Sequence, residues 1–445
     1  MIENRSLTVR KWNDPTFGVA LLLALALFAL GCGDSSNPAA APGWGQPQVL
    51  GDAYGVYGAL AGDGRGSAVM AWIPPLTSEP GAAIVARRFG VSTGWAVVET
   101  IAPPGPATFQ SPAVAMSATG DIVAAWAQAV GLAGSRFAGR GWGAPQLVSR
   151  AHAGFGSSFR GSPALGMDAA GSALAVWDEG GTEISDGRQD ASGHWTGPEL
   201  VRSADAIGRP AIALNAGGTA LAAWAEGREG AQTLWASVFN PRRGWAAPQR
   251  IGPERPLFVY ALQAALNDSE EGFVCWTQDD PRVDGDDTVF ASHHLAASGF
   301  AAPENLGRGG CQGVAVDSRG NALALQAQPP RTLVRRYMVG RGWEPADAFP
   351  ALDAAGGAAL SMDTAGGAWI LWVDVADGYT VRSRQFTLAQ GLGPALEVAA
   401  HAAGSGVLPQ VVSNDQGGAV AAWFDQPAAP SSRPVRVLAN RFVTR

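Results

Sequence analysis

The stretch Ala113-Val114-Ala115-Met116-Ser117-Ala118-Thr119-Gly120-Asp121-Ile122-Val123-Ala124-Ala125-Trp126 decides the fold. Two apolar runs flank a short polar segment that carries a glycine. A Ser, Asp or Asn at the first turn position bonds its own turn backbone, and a glycine three residues later takes the positive φ that a tight hairpin needs. The spacing predicts one strand over 113–116 and a second over 122–126.

The pattern returns along the 445 residues: Trp72, Trp126, Trp177, Trp224, Trp276, Trp372 and Trp423 recur, with Gln326 standing in the same slot. Nine residues before each lies Asp63, Ser117, Asp168, Asn215, Asn267, Asp317, Asp363 or Asn414. Six before lies Gly66, Gly120, Gly171, Gly218, Gly320, Gly366 or Gly417, and Glu270 is the exception. A period of 46 to 54 residues marks a supersecondary unit packed against copies of itself. In the first strands Val114, Leu165, Ile212, Val314, Leu360 and Val411 follow Ala, Gly or Gln. A strand apolar on both faces lies between layers, and small side chains let neighbouring backbones come close.

Two more strands complete each unit. The third is represented by 84–89, 234–239 and 381–386; the fourth opens at Gly94-Trp95, Gly141-Trp142, His194-Trp195, Gly244-Trp245, Gly299-Phe300, Gly342-Trp343 or Gly391-Leu392. With Trp44 of Gly43-Trp44 counted in the second, thirteen of the 16 tryptophans fall in these two slots, which assigns them to packing. The ends are complementary. Residues 43–50 read as a fourth strand without a hairpin, and the last unit stops after its third strand at 435–442. The expected fold is all-β, a single closed β-propeller of about eight four-stranded blades whose N-terminal strand completes the last blade. An open solenoid is the alternative.

Arg5, Arg10 and Lys11 precede an apolar run over 17–31 that ends at Cys32. The run is shorter than the roughly 18 or more residues of a spanning helix and ends in small residues, so 1–31 reads as a signal peptide. Residues 28–32, Phe-Ala-Leu-Gly-Cys, resemble the lipobox of bacterial lipoproteins, although Leu more often stands where Ala29 is. The resemblance implies a diacylglycerol on Cys32 and a new N-terminus there. Gly33 rather than Asp follows it, which by the same resemblance favours the outer membrane. The plain alternative is ordinary secretion. Residues 32–42 read as a flexible tether and 43–445 as the propeller. Without 1–31, 36 acids face 28 bases, a mildly acidic balance that argues against nucleic acid as partner.

At its hairpins the chain resembles a loose class of exported, mostly uncharacterised bacterial lipoproteins with Asp-x-x-Gly-x-Ala-x-Ala-x-Trp propeller repeats. The sialidase Asp-box and the quinoprotein tryptophan-docking motif space their Asp, Gly and Trp differently from Asp168, Gly171 and Trp177. The motif is structural and implies no activity.

Candidate sites lie where first strands begin. Arg160, Arg209, Arg255 and Arg308 lead into four consecutive units, and guanidinium forks suit a shared anion; the plain reading is arginine as this chain's default base. The longest such loop, 149–162, adds His152, Phe155 and Phe159. Asp279, Asp280, Asp284, Asp286 and Asp287 crowd one loop with spacing that suits Ca²⁺ but lacks an EF-hand's order; a solvated acidic loop is the alternative. Gln128, Glu179, Glu226, Gln278, Gln328, Asp374 and Asp425 stand two residues past the tryptophan slot, where bonding to loop backbone is expected. Cys275 and Cys311 fall at one end of neighbouring blades, a geometry open to a disulfide. Tyr260, Tyr337 and Tyr379 have no evident carboxylate partner, no catalytic constellation stands out, and no cofactor is implied. The leading expectation is a lipid-anchored binding or scaffold propeller. A carbohydrate-active enzyme, sialidase-like or lyase-like, and a scaffold for an envelope assembly are the rivals.

Overall fold

The hairpins form at the positions the spacing selects. Ala113–Met116 pairs antiparallel with Ile122–Gln128, Met116 opposite Ile122. The Asx device closes the turns: Asp63 Oδ1 accepts the N–H of Arg65 at 2.7 Å and of Ser67 at 2.9 Å. Asp317 and Asn414 repeat this in their own turns. The glycine of the slot has φ between +77° at Gly417 and +108° at Gly66.

The structure is a computed structural model that describes residues 42–76, 81–105, 111–128, 131–150, 163–204, 208, 210–228, 230–279, 287–353, 355–400, 408–427 and 433–444, without the side chains of 150, 253–256 and 355. Cys32, most of the tether, Arg160, Arg209, Asp280, Asp284, Asp286 and the loop side chains His152, Phe155 and Phe159 lie outside the described residues.

All described secondary structure is β, in antiparallel sheets. We number the units 1 to 8 by their first strands: Gly58–Gly62, Ala113–Met116, Ala164–Met167, Ala211–Leu214, the last part of Gln249–Leu266, Gly310–Val316, Ala355–Met362 and Gln410–Ser413. In unit 3 the fourth strand, Trp195–Ser203, is a single element that starts at its aromatic residue. Elsewhere the fourth strand departs from a continuous ladder, splitting for example into Gly299–Phe300 and Glu304–Arg308. Pro47, Pro145, Pro198, Pro248, Pro303, Pro345 and Pro394 follow the aromatic turn within three residues in seven of the units and have no N–H to give the ladder. Units 4 and 5 also share one nine-stranded sheet, because Gln249–Leu266 runs on from the fourth strand of one into the first strand of the other.

Second strands such as Ala173–Glu179 and Ala419–Asp425 are buried on both faces, and Trp72, Trp126, Trp177, Trp224, Trp276 and Trp423 are among the largest fully buried side chains. Each unit's first strand packs against the first strand of the next. A Cβ added at Gly166 would meet Leu214 Cβ of the following unit at 2.5 Å, so glycine there is a requirement of close approach. Unit 8 adjoins unit 1 in the same way. Gln410 Oε1 accepts the Leu60 N–H at 2.7 Å, Asp415 N–H donates to Gly64 O, and Gly62 lies against Val412. The terminal strands pair directly, Gly43 opposite Val443 and Trp44 opposite Phe442, and Gln48–Ala53 extends the pairing along Val435–Val443.

A second link between units comes from the third strands. The residue opposite the second position of the second strand is Arg88, Arg136, Arg188, Val238, His293, Arg336, Gln385 or Arg441. Arg88 lies 3.9 Å over the Phe137 ring of the next unit, Arg188 lies 4.6 Å over Phe239, and Arg441 lies 5.4 Å over Phe89. Arg88 also forks onto Glu99, whose Oε2 accepts the Trp142 indole N–H at 3.0 Å. Such stacked, paired guanidiniums each contribute about 0.5–2 kcal/mol.

Candidate functional site

The ends of the second strands, the starts of the third and the approaches to the first share one face of the sheets. On that face a cavity of about 480 Å³ opens between units 4 and 5, lined by Gly208, Pro210, Ala225, Gln232 and the run Val259, Tyr260, Ala261 and Leu262. Its walls are fixed by backbone bonds: Gly208 N–H donates to Ala225 O, and Gln232 Oε1 accepts the Val259 N–H at 3.1 Å. The floor is shaped by a bulge between Tyr260 and Gln263, where Ala261 takes φ +49°. A non-glycine residue in that region stores about 1–3 kcal/mol of strain that the surroundings must hold.

The bulge turns the Tyr260 hydroxyl to Asp287, and its O–H donates to Oδ1 at 2.5 Å. This corrects the expectation that the tyrosine lacks a carboxylate partner; the pairing depends on a bulge that strand alternation does not reveal. Burial first, and then the negative charge of Asp287, pushes the Tyr260 phenol well above its usual range. Phe258 packs against the Tyr260 ring at 5.1 Å.

Of the five aspartates, only Asp279 and Asp287 lie within the described residues; Asp279 ends a second strand and Asp287 holds Tyr260. Among the described residues no three His, Cys, Asp or Glu side chains group as metal ligands. Of the four arginines, only the Arg308 side chain is described. It is exposed, and its carbonyl accepts the side-chain N–H groups of Gln326 and Gln328. Arg255 lies within Gln249–Leu266, where its side chain is not described. Cys275 and Cys311 form a disulfide across units 5 and 6 with Cα atoms 6.2 Å apart. Beside it Thr277 Oγ1 accepts the Cys311 N–H at 2.8 Å.

The acceptors past the tryptophan slot differ from expectation. Gln328 bonds backbone, but most of the carboxylates take charged partners. Glu226 accepts from Arg202 Nε at 2.6 Å and from the Trp224 indole, Asp374 accepts from Arg382, and Asp425 accepts from Arg436. The signal was present in sequence as Arg382 and Arg436 at the start of the third strands, but cross-strand register decides which carboxylate each meets.

No known family and no curated protein matches the chain. Among solved structures, a protein of unknown function from Dyadobacter fermentans is 12% identical over 90% of this chain and 99% of its own, with a TM-score of 0.45. A polysaccharide lyase, an ulvan lyase bound to a glucuronate–sulfated rhamnose unit, is 9% identical over 79% of this chain and 95% of its own, TM-score 0.44. The six-bladed fucose-binding lectin of Aleuria aurantia is 11% identical over 66% of this chain and 98% of its own, TM-score 0.36. The chain is similar to β-propeller proteins. At these identities and scores the likeness is too loose to transfer a ligand or an activity.

Proposed function

We propose that the eight units close into one ring, an eight-bladed β-propeller, tethered to the cell envelope by a lipid on Cys32 and binding a protein or glycan partner on the face that carries the Tyr260 cavity. Closure is supported by the three kinds of contact that unit 8 makes with unit 1, and a closed ring leaves no free sheet edge. Acyl chains contribute about 0.8 kcal/mol per buried CH₂, so a diacylated Cys32 would hold the chain at a bilayer, with the outer membrane favoured.

One observation carries binding over turnover. Among the described residues, ionisable groups on this face pair with one another: Tyr260 with Asp287, Arg202 with Glu226, Arg382 with Asp374 and Asp377, Arg436 with Asp425. Such pairs fix a shape and occupy the lone pairs and N–H groups that acid–base chemistry would direct at a substrate. Arg160, Arg209, Arg255 and Arg308, which lead into consecutive units, would supply cations for an anionic part of the partner.

The test is detergent-phase partition of the full chain beside Cys32→Ser, then partner capture and glycan-array binding beside Gln232→Ala and Tyr260→Phe. Partition lost in Cys32→Ser, with capture weakened about tenfold by the two cavity changes, is the expected result. A glycoside or uronate polymer turned over by the native chain, but not by Arg160→Ala or Arg209→Ala, would contradict the reading.

A further inference from the structure

On the opposite face, where the hairpins turn, a cleft of about 330 Å³ separates units 4 and 5. Three departures from the repeat line it. Val238 stands where units 1, 2, 3, 6 and 8 place an arginine. His294 stands where Phe89, Phe137 and Phe239 receive the stacked guanidinium of the preceding unit or its equivalent. Glu270 replaces the turn glycine of the other seven hairpins and takes φ +61° to do so. The first change removes the side chain that fills sister seams, and the third keeps a strained carboxylate where glycine would be relaxed.

The vacated space has an ordered chemistry. Trp245, Phe300 and Val238 give apolar walls, and the His294 and Phe300 rings pack at 4.7 Å. His294 Nδ1 lies 3.0 Å from Glu270 O, so it carries the proton, and Nε2 of the neutral ring is a bare acceptor. Glu270 Oε1 accepts the Thr219 hydroxyl at 2.9 Å, leaving Oε2 as a second acceptor. Gln249 Oε1 accepts the Phe300 N–H, which leaves its amide N–H groups as donors, and the exposed Arg243 guanidinium adds more. Donors and acceptors are balanced, the two charges are opposite, and the walls are aromatic.

We propose that this cleft binds a neutral pyranose sugar, its hydroxyls bridging Glu270, His294 and Gln249 and its apolar face lying on the aromatic wall. Hydroxyl groups donate and accept at once, which matches the mixed set, and ring C–H groups suit the indole and phenyl faces. The site lies on the face opposite the Tyr260 cavity and does not depend on what that cavity binds.

The test is isothermal titration of the full chain in detergent with free glucose, galactose, mannose, fucose and N-acetylglucosamine, beside Glu270→Gly and Val238→Arg. Glu270→Gly restores the repeat's glycine, and Val238→Arg restores the guanidinium that fills sister seams. At least one sugar is expected to bind the native chain, with affinity falling tenfold or more in both variants while the melting temperature holds or rises by a few degrees. Absence of binding for all five sugars, or binding undiminished in both variants, would overturn the site. A melting temperature lowered by Glu270→Gly with sugar binding retained would assign Glu270 to the hairpin instead.

Discussion

In the tryptophan slot of unit 6, Gln326 bonds the buried guanidinium of Arg335. Its Oε1 accepts from Arg335 Nη1 at 3.0 Å, and its Nε2 donates to Arg308 O at 2.7 Å. Burial lowers the pKa of Arg335, and backbone carbonyls at Leu306 and Glu344 complete its partners. Gln326→Trp is expected to destabilise by about 1–3 kcal/mol in urea unfolding, since it removes one of the three acceptors of a buried guanidinium and leaves Arg308 O without the Gln326 N–H. His293 gives a pH signature. It stacks on Phe273 at 4.4 Å, and burial, followed by neighbouring His294, holds its pKa below the usual 6.5. The folded state binds that proton less readily than the unfolded chain, so the stability it contributes is complete above pH 6.5 and falls as pH drops below it. His293→Phe keeps the ring stack, and a shallower acid limb in thermal melts between about pH 6.5 and 4 is expected. Neither arrangement was legible in sequence, because the partners, Arg335 for Gln326 and Phe273 for His293, are set by cross-strand register.

Between elements, the arginine at the end of one third strand clamps the aromatic ring at the end of the next. Arg88 and Phe137 make the closest such pair. A double-mutant cycle of Arg88→Ala and Phe137→Leu is expected to give a coupling of about 0.5–1 kcal/mol, and a coupling indistinguishable from zero would reduce the clamp to coincidence. The dyads Arg88-Phe89, Arg136-Phe137, Arg336-Tyr337 and Arg441-Phe442 stand plainly in the sequence. Their role was hidden because the partner ring sits a whole unit away and arginine is abundant throughout. The hairpins were legible because each is local: Asp63, Gly66 and Trp72 lie within ten residues, and the Asx turn needs nothing outside itself.

At the scale of the molecule, complementary ends foretold which strands meet, because a fourth strand at 43–50 and a sheet ending at its third strand have one economical solution. The Tyr260 cavity was not foretold. It needs the Ala261 bulge to bring together groups 27 residues apart, and strand periodicity carries no mark of it. The sugar site is likewise proposed from departures from the repeat: similar units describe a scaffold, and Val238, Glu270 and His294 are three departures gathered at one seam.

Closure of the ring by its two ends is the claim on which the rest stands, and a designed cross-link tests it most directly. Gly43 faces Val443 across the terminal strands, and directly paired positions bring Cα atoms to about 4.5–5.5 Å, within reach of a disulfide. In a Cys32→Ser background, Gly43→Cys with Val443→Cys is expected to oxidise within the monomer, giving one new bridged peptide pair beside Cys275–Cys311 in non-reducing mass spectrometry. Both cysteines recovered as free thiols, or bridges found only between molecules, would contradict the account.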